Sequence, residues 1–238
     1  MLPPQDWQSR SYKKLSKIEK LQVSKSNLLP LVSEAFNTSM ARKWSNLNLP
    51  GALHFVTGNV RDRIPIFRQE LCAQEFFNIL GNLRAEWPAK VIAYVLMPEH
   101  FHFIVNPRDG EIKAFVRALK SKLAMKIVEL TGDRFLLAEP EPGGPTHQVW
   151  QESFKSIPLW SGWMIWQKIN YIHANPVKAR LVKSAKDYRW SSARVIYGKE
   201  TEPLAVDQDW WWPDDAEKIS KAMKKLGWRT YHNRESQK

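Results

Sequence analysis

The sequence has little cysteine, few acidic residues and no long apolar run, and each shortage excludes a class of protein. Cys72 is the single cysteine among 238 residues, so the chain cannot form an intrachain disulfide or supply a cysteine-based zinc site. No apolar run approaches the roughly 18–20 residues that cross a bilayer. The opening segment, MLPPQDWQSRSYKK, has no apolar stretch typical of a signal peptide. We therefore expect a reduced, cytoplasmic protein with no membrane partner.

The shortage of acidic residues leaves the chain strongly basic. Lysine and arginine number 36 against 24 aspartate and glutamate, which gives a formal net charge of +12. Such an excess attracts polyanions, so nucleic acid is the expected partner. The hydrophobic fraction of 43% and the aromatic fraction of 12% are sufficient for a packed core and exclude a wholly disordered chain.

The composition divides the chain into three predicted parts. Residues 1–45 form a basic N-terminal arm, with eight Lys/Arg against three acidic residues, and this arm is either weakly ordered or a solvated leader. Residues 46–200 carry the globular pattern. Residues 201–238 form a C-terminal extension in which the triplet Trp210–Trp212 either packs on the core or stacks on bases.

Hydrophobic periodicity predicts an α+β domain. The predicted strands are 53–60, 91–97, 100–105 and 149–157, and the predicted helices are 70–87, 111–130 and 160–174, with a short helix after Ser191. Pro98-Glu99 joins the second and third strands as a hairpin. This order is that of a ferredoxin-like split βαβ fold, with a central antiparallel sheet. We expect the helices on one face, which leaves the other face open to a ligand.

Two histidines in the predicted hairpin are candidates for a metal site. Because side chains alternate along a strand, His100 and His102 leave one face of the sheet while Phe101 and Phe103 leave the other. Two imidazoles on one face can converge on a cation, but an exposed histidine pair without a metal has the same pattern.

A second group of polar side chains lies near the end of the predicted helix 160–174. Tyr171 and Asn175 are four residues apart, so on a helix their side chains share a face. The same residues also permit a purely structural interpretation, because Asn175-Pro176 stops a helix and a tyrosine near a helix end can belong to the core.

Several segments together resemble the single-tyrosine transposases that act on single-stranded DNA, and in particular the REP-associated tyrosine transposases. The resemblance covers about residues 42–198, and it is carried by segments 54–60, 95–104 (VLMPEHFHFI), 149–154, 171–182 (YIHANPVKARLV) and 187–192. Residues 139–145 and 155–168 depart from the family pattern.

The resemblance implies a role for each candidate residue. His100 and His102 match two ligands of a divalent cation, Tyr171 matches the nucleophile, and Asn175 matches a third, amide ligand. The implied cation is Mg²⁺ or Mn²⁺. The implied reaction cleaves and rejoins single-stranded or hairpin DNA, such as repeated extragenic palindromes, through a 5′-phosphotyrosine. Related enzymes work as dimers or as monomers, so the sequence leaves open whether this chain is a monomer or a homodimer.

Basic residues around these segments are candidates for contacts with the DNA backbone. They are Arg61, Arg63, Lys113, Arg117, Lys120 and Lys178. Three of them lie along one flank of the predicted helix 111–130, which is also where an amphipathic helix carries solvated charges. Trp150 and Trp190 could stack on unpaired bases, but packing in the core is the expected role for each.

Two other functions fit parts of the sequence. A non-catalytic, host-retained protein could bind palindromic DNA repeats without cleaving them, although all four expected site residues are present. A zinc hydrolase based on the histidine pair would lack an identifiable third ligand and general base. The favoured hypothesis is a bacterial, nucleoid-associated, metal-dependent DNA transposase.

Overall fold

The computed structural model describes residues 48, 51–151, 153–159, 161–198 and 202–210. The predicted arm of residues 1–45 lies outside the described residues, and so does the C-terminal extension beyond residue 210. Among the described helices, none has both the length and the apolarity that a membrane crossing requires.

Four strands form one antiparallel sheet. They are β1 (Leu53–Asn59), β2 (Ala89–Met97), β3 (His100–Pro107) and β4 (Lys155–Leu159), and they lie in the order β2-β3-β1-β4. In this order the third strand lies between the first and the second, as in a split βαβ fold. The predicted α+β class, the central antiparallel sheet and the hairpin at Pro98-Glu99 are confirmed.

Helices α1 (Glu70–Glu86) and α2 (Ile112–Thr131) pack on one face of the sheet. Their apolar stripes meet the phenylalanines of β3, which leave this face because strand side chains alternate. On the neighbouring strand β1, Gly58 lies directly opposite Phe101 of β3. A Cβ at Gly58 would collide with the Phe101 ring, so the absence of a side chain here makes room for the core.

Helix α3 (Gly162–Lys178) packs on the other face, contrary to the expectation that all helices share one face. Its stripe of Ile165, Ile169 and Ile172 is buried against a second apolar cluster of the sheet, which includes Val95 and Ile104. The physical reason is that α3 is amphipathic and must bury this stripe, so it covers part of the face that was expected to be open.

Both ends of α3 follow local chemistry. Ser161 caps the N-terminus, since its Oγ accepts a hydrogen bond from the backbone N–H of Met164 at 3.3 Å. The prediction that the helix ends before Pro176 is wrong, because the helix continues to Lys178. A proline in the last turn removes only one backbone donor, so the helix can continue past it. The Pro176 carbonyl itself accepts a hydrogen bond from the Leu181 N–H at 2.9 Å.

The free edge of β2 is covered by two later segments. Near one end of the strand, the Leu96 N–H donates to the Trp190 carbonyl at 2.9 Å. Near the other end, the Val91 N–H donates to the Asp207 carboxylate at 2.7 Å. Between them, the buried Tyr94 hydroxyl donates to the Leu204 carbonyl at 2.7 Å. The described start of the predicted C-terminal extension, residues 202–210, therefore packs along the sheet.

The last strand, Trp210 and a short final helix complete the described fold. The last strand is β4, which begins later than the predicted 149–157, and Trp150 instead forms an isolated bridge with Val60. Trp210 packs edge-on against Trp166 with ring centroids 5.2 Å apart, while the other two tryptophans of its triplet lie outside the described residues. The short helix α4 is Ala193–Gly198.

Candidate active site

The two histidines of β3 lie side by side on the face that carries α3. The ring centroids of His100 and His102 are 4.9 Å apart. The strand register places His100 opposite Asn59 and His102 opposite Thr57, so β1 forms the neighbouring wall. The alternation predicted from the sequence is confirmed, because Phe101 and Phe103 are buried in the core on the opposite face.

Each imidazole has a partner at the same ring nitrogen. The Nδ1 of His102 lies 2.8 Å from the Thr57 hydroxyl, and the Nδ1 of His100 lies 3.0 Å from a Glu99 carboxylate oxygen. A partner at Nδ1 orients the ring and directs the Nε2 lone pair away from it, as it does in metal-binding histidines.

Burial keeps both imidazoles in the neutral form that binds metals. Burial is the main cause that lowers the pKa of His102 to about 3, and the nearby His100, Lys168 and Arg63 contribute smaller parts of this shift. Burial also lowers the pKa of His100, although the Glu99 carboxylate opposes this effect. A neutral imidazole has a lone pair that can bind a metal, so both rings are in a form that can bind a cation.

Tyr171 reaches the histidines from late in the chain. Its ring lies edge-on to the His102 ring with centroids 5.3 Å apart, and edge-on to Phe55 with centroids 5.8 Å apart. Tyr171 is 41% exposed, so this residue is not sealed in the core. The structure thus brings together the hairpin and the helix that the sequence singled out separately.

Asn175 follows Tyr171 by one turn of α3. Its Nδ2 donates a hydrogen bond to the Tyr171 carbonyl at 2.7 Å, which leaves its amide oxygen as the group that could face a cation. In the described part of the chain, no cluster of three or more His, Cys, Asp or Glu side chains could hold a metal. The role of Asn175 as a third, amide ligand beside the two histidines stays a prediction.

Two lysines flank the tyrosine. The Nζ of Lys168 and the Nζ of Lys178 each lie 5.7 Å from the centroid of the Tyr171 ring. Lys178 was predicted to contact DNA, whereas sequence reasoning missed Lys168. Its spacing could have identified it, because a residue three positions before Tyr171 lies on the same side of a helix.

Arg63 belongs to a network around His100. Its guanidinium donates to the Asn59 side-chain oxygen at 2.8 Å and lies 3.4 Å from the Glu99 carboxylate that contacts His100. Arg63 and Asp62 both have a φ of 55°, an uncommon conformation for residues with a side chain. Through its contact with the Glu99 carboxylate, Arg63 helps to keep Glu99 beside His100, in addition to any contact that it makes with DNA.

The remaining predicted DNA contacts lie elsewhere. A groove of about 420 Å³ runs along α2 and is lined by Lys113, Arg117, Lys120, Ser121, Ala124, Trp150, Ser153 and Phe154. Arg61 is not among these lining residues, and its guanidinium lies 3.5 Å from the Leu136 carbonyl. The six basic residues therefore divide into a pair near Tyr171 and His100, a group on α2, and Arg61.

The two tryptophans named as base-stacking candidates pack in the protein. Trp150 is buried, and its indole N–H donates to the Lys120 carbonyl at 2.8 Å. Trp190 stacks on Phe77 with ring centroids 5.7 Å apart. The prediction that core packing is their role is confirmed.

A buried hydrogen-bonded junction holds α3 against the sheet. The Nε2 of His173 lies 2.9 Å from the Ser192 hydroxyl, and that hydroxyl also accepts from the Tyr94 backbone N–H at 2.9 Å. Burial lowers the pKa of His173 to about 3, so the ring is neutral. This junction orients the helix that carries Tyr171, and sequence reasoning missed it because the pairing is long-range.

Comparison with protein families gives one match. The family model described as IS200-like transposases matches residues 51–175, which include both histidines, the tyrosine and the asparagine. No curated protein matches the sequence significantly.

Three solved structures are similar to the chain. A REP-associated tyrosine transposase bound to a REP hairpin is 21% identical, has a TM-score of 0.49, and the match covers 71% of this chain and 90% of that chain. A transposase from Deinococcus radiodurans R1 is 18% identical, with a TM-score of 0.38 and coverage of 52% and 90%. The tRNA(His) guanylyltransferase from Saccharomyces cerevisiae is 10% identical, with a TM-score of 0.39 and coverage of 82% and 87%. All three TM-scores lie below 0.5, so the family assignment depends on the sequence match.

Proposed function

The chain belongs to the IS200-like transposase family, a family of DNA-processing enzymes, and from this premise we propose that it cleaves and rejoins DNA through Tyr171. The substrate is single-stranded or hairpin DNA, and the intermediate is a covalent 5′-phosphotyrosine. A divalent metal, Mg²⁺ or Mn²⁺, assists the reaction. Within the family, the proposed subgroup is that of the REP-associated enzymes.

The observation that carries this proposal is the contact between Tyr171 and His102. Tyr171, a residue that is 41% exposed, lies with its ring centroid 5.3 Å from that of a buried, neutral imidazole, and that imidazole lies 4.9 Å from a second one. A core tyrosine would be covered, and a surface histidine pair would be protonatable. An exposed tyrosine beside two neutral imidazoles therefore supports a reaction in which Tyr171 attacks DNA and the imidazoles hold a cation.

The donor set fits the metal that the family implies. His100 and His102 would hold it through Nε2, since their Nδ1 atoms face Glu99 and Thr57. Asn175 would add its amide oxygen. When bound, the cation supplies Lewis acidity, which withdraws charge from a phosphate oxygen.

The side chains of the protein account for the remaining steps. The Tyr171 oxygen attacks phosphorus, a new P–O bond forms to the phenol, and the bond from phosphorus to the 3′ oxygen breaks. The phenol releases a proton, and the departing 3′ oxygen takes one up. One phosphoester replaces another, so the free 3′-OH can later attack the phosphotyrosine and rejoin the strand.

Basic side chains at the edge of the site and on α2 would bind the backbone of the DNA. Arg63 and Lys178 lie at the histidines and the tyrosine, and the group on α2 lines a groove with hydroxyl and aromatic neighbours. Each phosphate that is neutralised releases counterions, so binding weakens as salt increases.

The test is formation of a covalent adduct. The full chain is incubated with Mn²⁺ and a labelled pool of single-stranded and hairpin oligonucleotides with a randomised segment, and then separated under denaturing conditions. We expect an adduct whose DNA maps by mass spectrometry to the peptide that contains Tyr171. Tyr171→Phe should abolish it, and the matched variant Tyr197→Phe should retain it.

Two results would contradict the proposal. An adduct that persists undiminished in Tyr171→Phe would show that another residue is the nucleophile. Tight binding of hairpin DNA without an adduct, in Mg²⁺ and in Mn²⁺, would identify the chain as the non-catalytic binder of palindromic repeats.

A further inference from the structure

Lys168 occupies an unusual place beside the tyrosine. It lies on α3 three residues before Tyr171, and its Nζ is 4.9 Å from the centroid of the Phe55 ring and 5.7 Å from that of Tyr171. The ammonium group thus lies against two aromatic rings that also flank His102. Its position is set by α3 and β1 together and not by a flexible surface loop.

The charge of Lys168 has no acidic partner in the described part of the chain, where no carboxylate lies within 4.0 Å of its Nζ. The side chain is half-buried, and burial lowers the pKa of the ammonium group. Removing a charge from water without a counter-charge is unfavourable, and aromatic faces compensate for it only in part. A half-buried cation of this kind is typical of a site that receives an anion.

The neighbours of Lys168 indicate which anion it would meet. The positive charge of Lys168 is one of those that lower the pKa of His102. The ammonium group and the imidazole therefore lie close enough to interact electrostatically. Lys178 lies at the same distance from the Tyr171 ring, but it is the last residue of α3 and is exposed. Lys168 is the more constrained of the two cations, because Phe55 also contacts it.

We propose that Lys168 binds a non-bridging oxygen of the phosphodiester that Tyr171 attacks. This inference rests on the proposed function, and it assigns to the site a cation that belongs to the protein. Lys168 stays protonated throughout. In the first step the Tyr171 oxygen bonds to phosphorus and the 3′ oxygen leaves, and in the reverse step the 3′ oxygen bonds to phosphorus and the phenol leaves.

The phosphorus carries two non-bridging oxygens and one negative charge both before and after each step. Negative charge grows on these oxygens as the fifth ligand approaches phosphorus. A fixed ammonium group therefore stabilises the transition state more than it stabilises the bound substrate. Lys168 also lowers the repulsion that an anionic diester presents to an oxygen nucleophile.

The first measurement is the single-turnover rate of adduct formation by the full chain, with saturating Mn²⁺ and an oligonucleotide recovered from the cleaved pool. We expect Lys168→Met to lower this rate about 100-fold, as loss of one transition-state donor does in other enzymes. Lys168→Arg keeps the charge and should stay within about tenfold of the unchanged protein. Lys126→Met, which removes a lysine paired with Glu129 on α2, is the charge-matched control and should react at the original rate.

The second measurement separates phosphate binding from a structural role. A methylphosphonate at the cleavage position replaces one charged oxygen by a methyl group, so a cation there loses its partner. On this substrate the rate difference between Lys168→Met and the unchanged protein should shrink from about 100-fold to a few-fold, the signature of coupled groups. Lys168→Gln provides a second uncharged variant if Lys168→Met does not fold, as judged by circular dichroism.

The outcomes distinguish this inference from the function on which it rests. If the unchanged protein forms no adduct, both are overturned. If it forms the adduct while Lys168→Met and Lys168→Gln react equally fast, the function stands and the role of Lys168 is rejected. An equal loss of rate on the diester and on the methylphosphonate would also reject phosphate binding, because a structural defect does not depend on the charge of the substrate.

Discussion

The ring of Tyr171 lies edge-on to the imidazole of His102, with centroids 5.3 Å apart. This contact brings a side chain of α3 against one of the β2-β3 hairpin. Neither residue alone indicates a reaction. Their contact gives an accessible phenol a neutral, hydrogen-bonded imidazole as its neighbour, and a second imidazole lies beside that one. Other side chains hold this arrangement in place, and charged surfaces surround it.

Thr57 orients His102, so removing its hydroxyl should weaken metal binding. Thr57→Val keeps the shape and the β-branch but leaves Nδ1 of His102 without the hydroxyl at 2.8 Å. We expect the affinity of the full chain for Mn²⁺ to fall about 10- to 100-fold, the usual effect of losing a partner of a metal-binding histidine. Isothermal titration calorimetry measures it. Thr57→Ser, which retains the hydroxyl, should bind close to the original affinity, and an unchanged affinity in Thr57→Val would contradict the role.

Ser192 joins α3 to the sheet, so truncating it should destabilise the fold. Ser192→Ala leaves the Tyr94 backbone N–H and the His173 ring without the hydroxyl that both contact at 2.9 Å. Unsatisfied buried polar groups cost about 1–3 kcal/mol in the free energy of unfolding. Urea unfolding followed by circular dichroism measures this change. Ser153→Ala, at an exposed position, should change the free energy by less than about 0.5 kcal/mol.

The alkaline stability of the protein should depend on Tyr188. Its hydroxyl donates to the Leu96 carbonyl at 2.9 Å, and burial raises its pKa from 10.0 to about 12. Because the folded pKa lies above the unfolded one, the neutral phenol stabilises the fold below pH 10, and this contribution is lost as the pH rises towards 12.

Urea midpoints measured across this alkaline range check the sign. The midpoint of the unchanged protein should fall, and the fall should be smaller in Tyr188→Phe, which has no proton to lose. Tyr94, whose pKa burial also raises, contributes to the residual fall in that variant. An identical pH dependence in the two proteins would refute the assignment to Tyr188.

The groove on α2 should contribute to DNA binding through charge. Lys113→Met and Arg117→Met should each weaken binding and reduce the slope of log affinity against log salt by about 1, because each removes about one phosphate contact. Fluorescence anisotropy with a labelled hairpin over a range of salt concentrations provides the slope. Lys126→Met removes a charge outside the groove and should leave the slope unchanged, and equal slopes in all three variants would show that DNA does not enter the groove.

Much of the architecture could be predicted from the sequence because it depends on local patterns. The alternation around His100 and His102 predicted their shared face, and Pro98-Glu99 predicted the hairpin. The family match then includes the same residues that the motifs singled out. The roles of Tyr171, the histidines and Asn175 in catalysis and metal binding stay predictions.

What the sequence did not reveal depends on long-range pairing. The side of the sheet on which α3 packs follows from its isoleucine stripe only after the first face is known to be filled by α1 and α2. Thr57 is a partner of His102 only because the β1-β3 register places them opposite each other. One difference is local: α3 continues past Pro176 because the last turn of a helix tolerates a proline.

The coverage of the β2 edge has a consequence for where the chain can be shortened. Trp190, Ser192 and Asp207 bond the main-chain groups of Leu96, Tyr94 and Val91 on the outer side of β2. Cutting the chain after Gly198 would remove Asp207 and uncover the main-chain groups of Val91, and an uncovered strand edge pairs readily with the same edge of another molecule. We therefore expect a chain cut after Gly198 to self-associate through the edge of β2 more readily than the full chain.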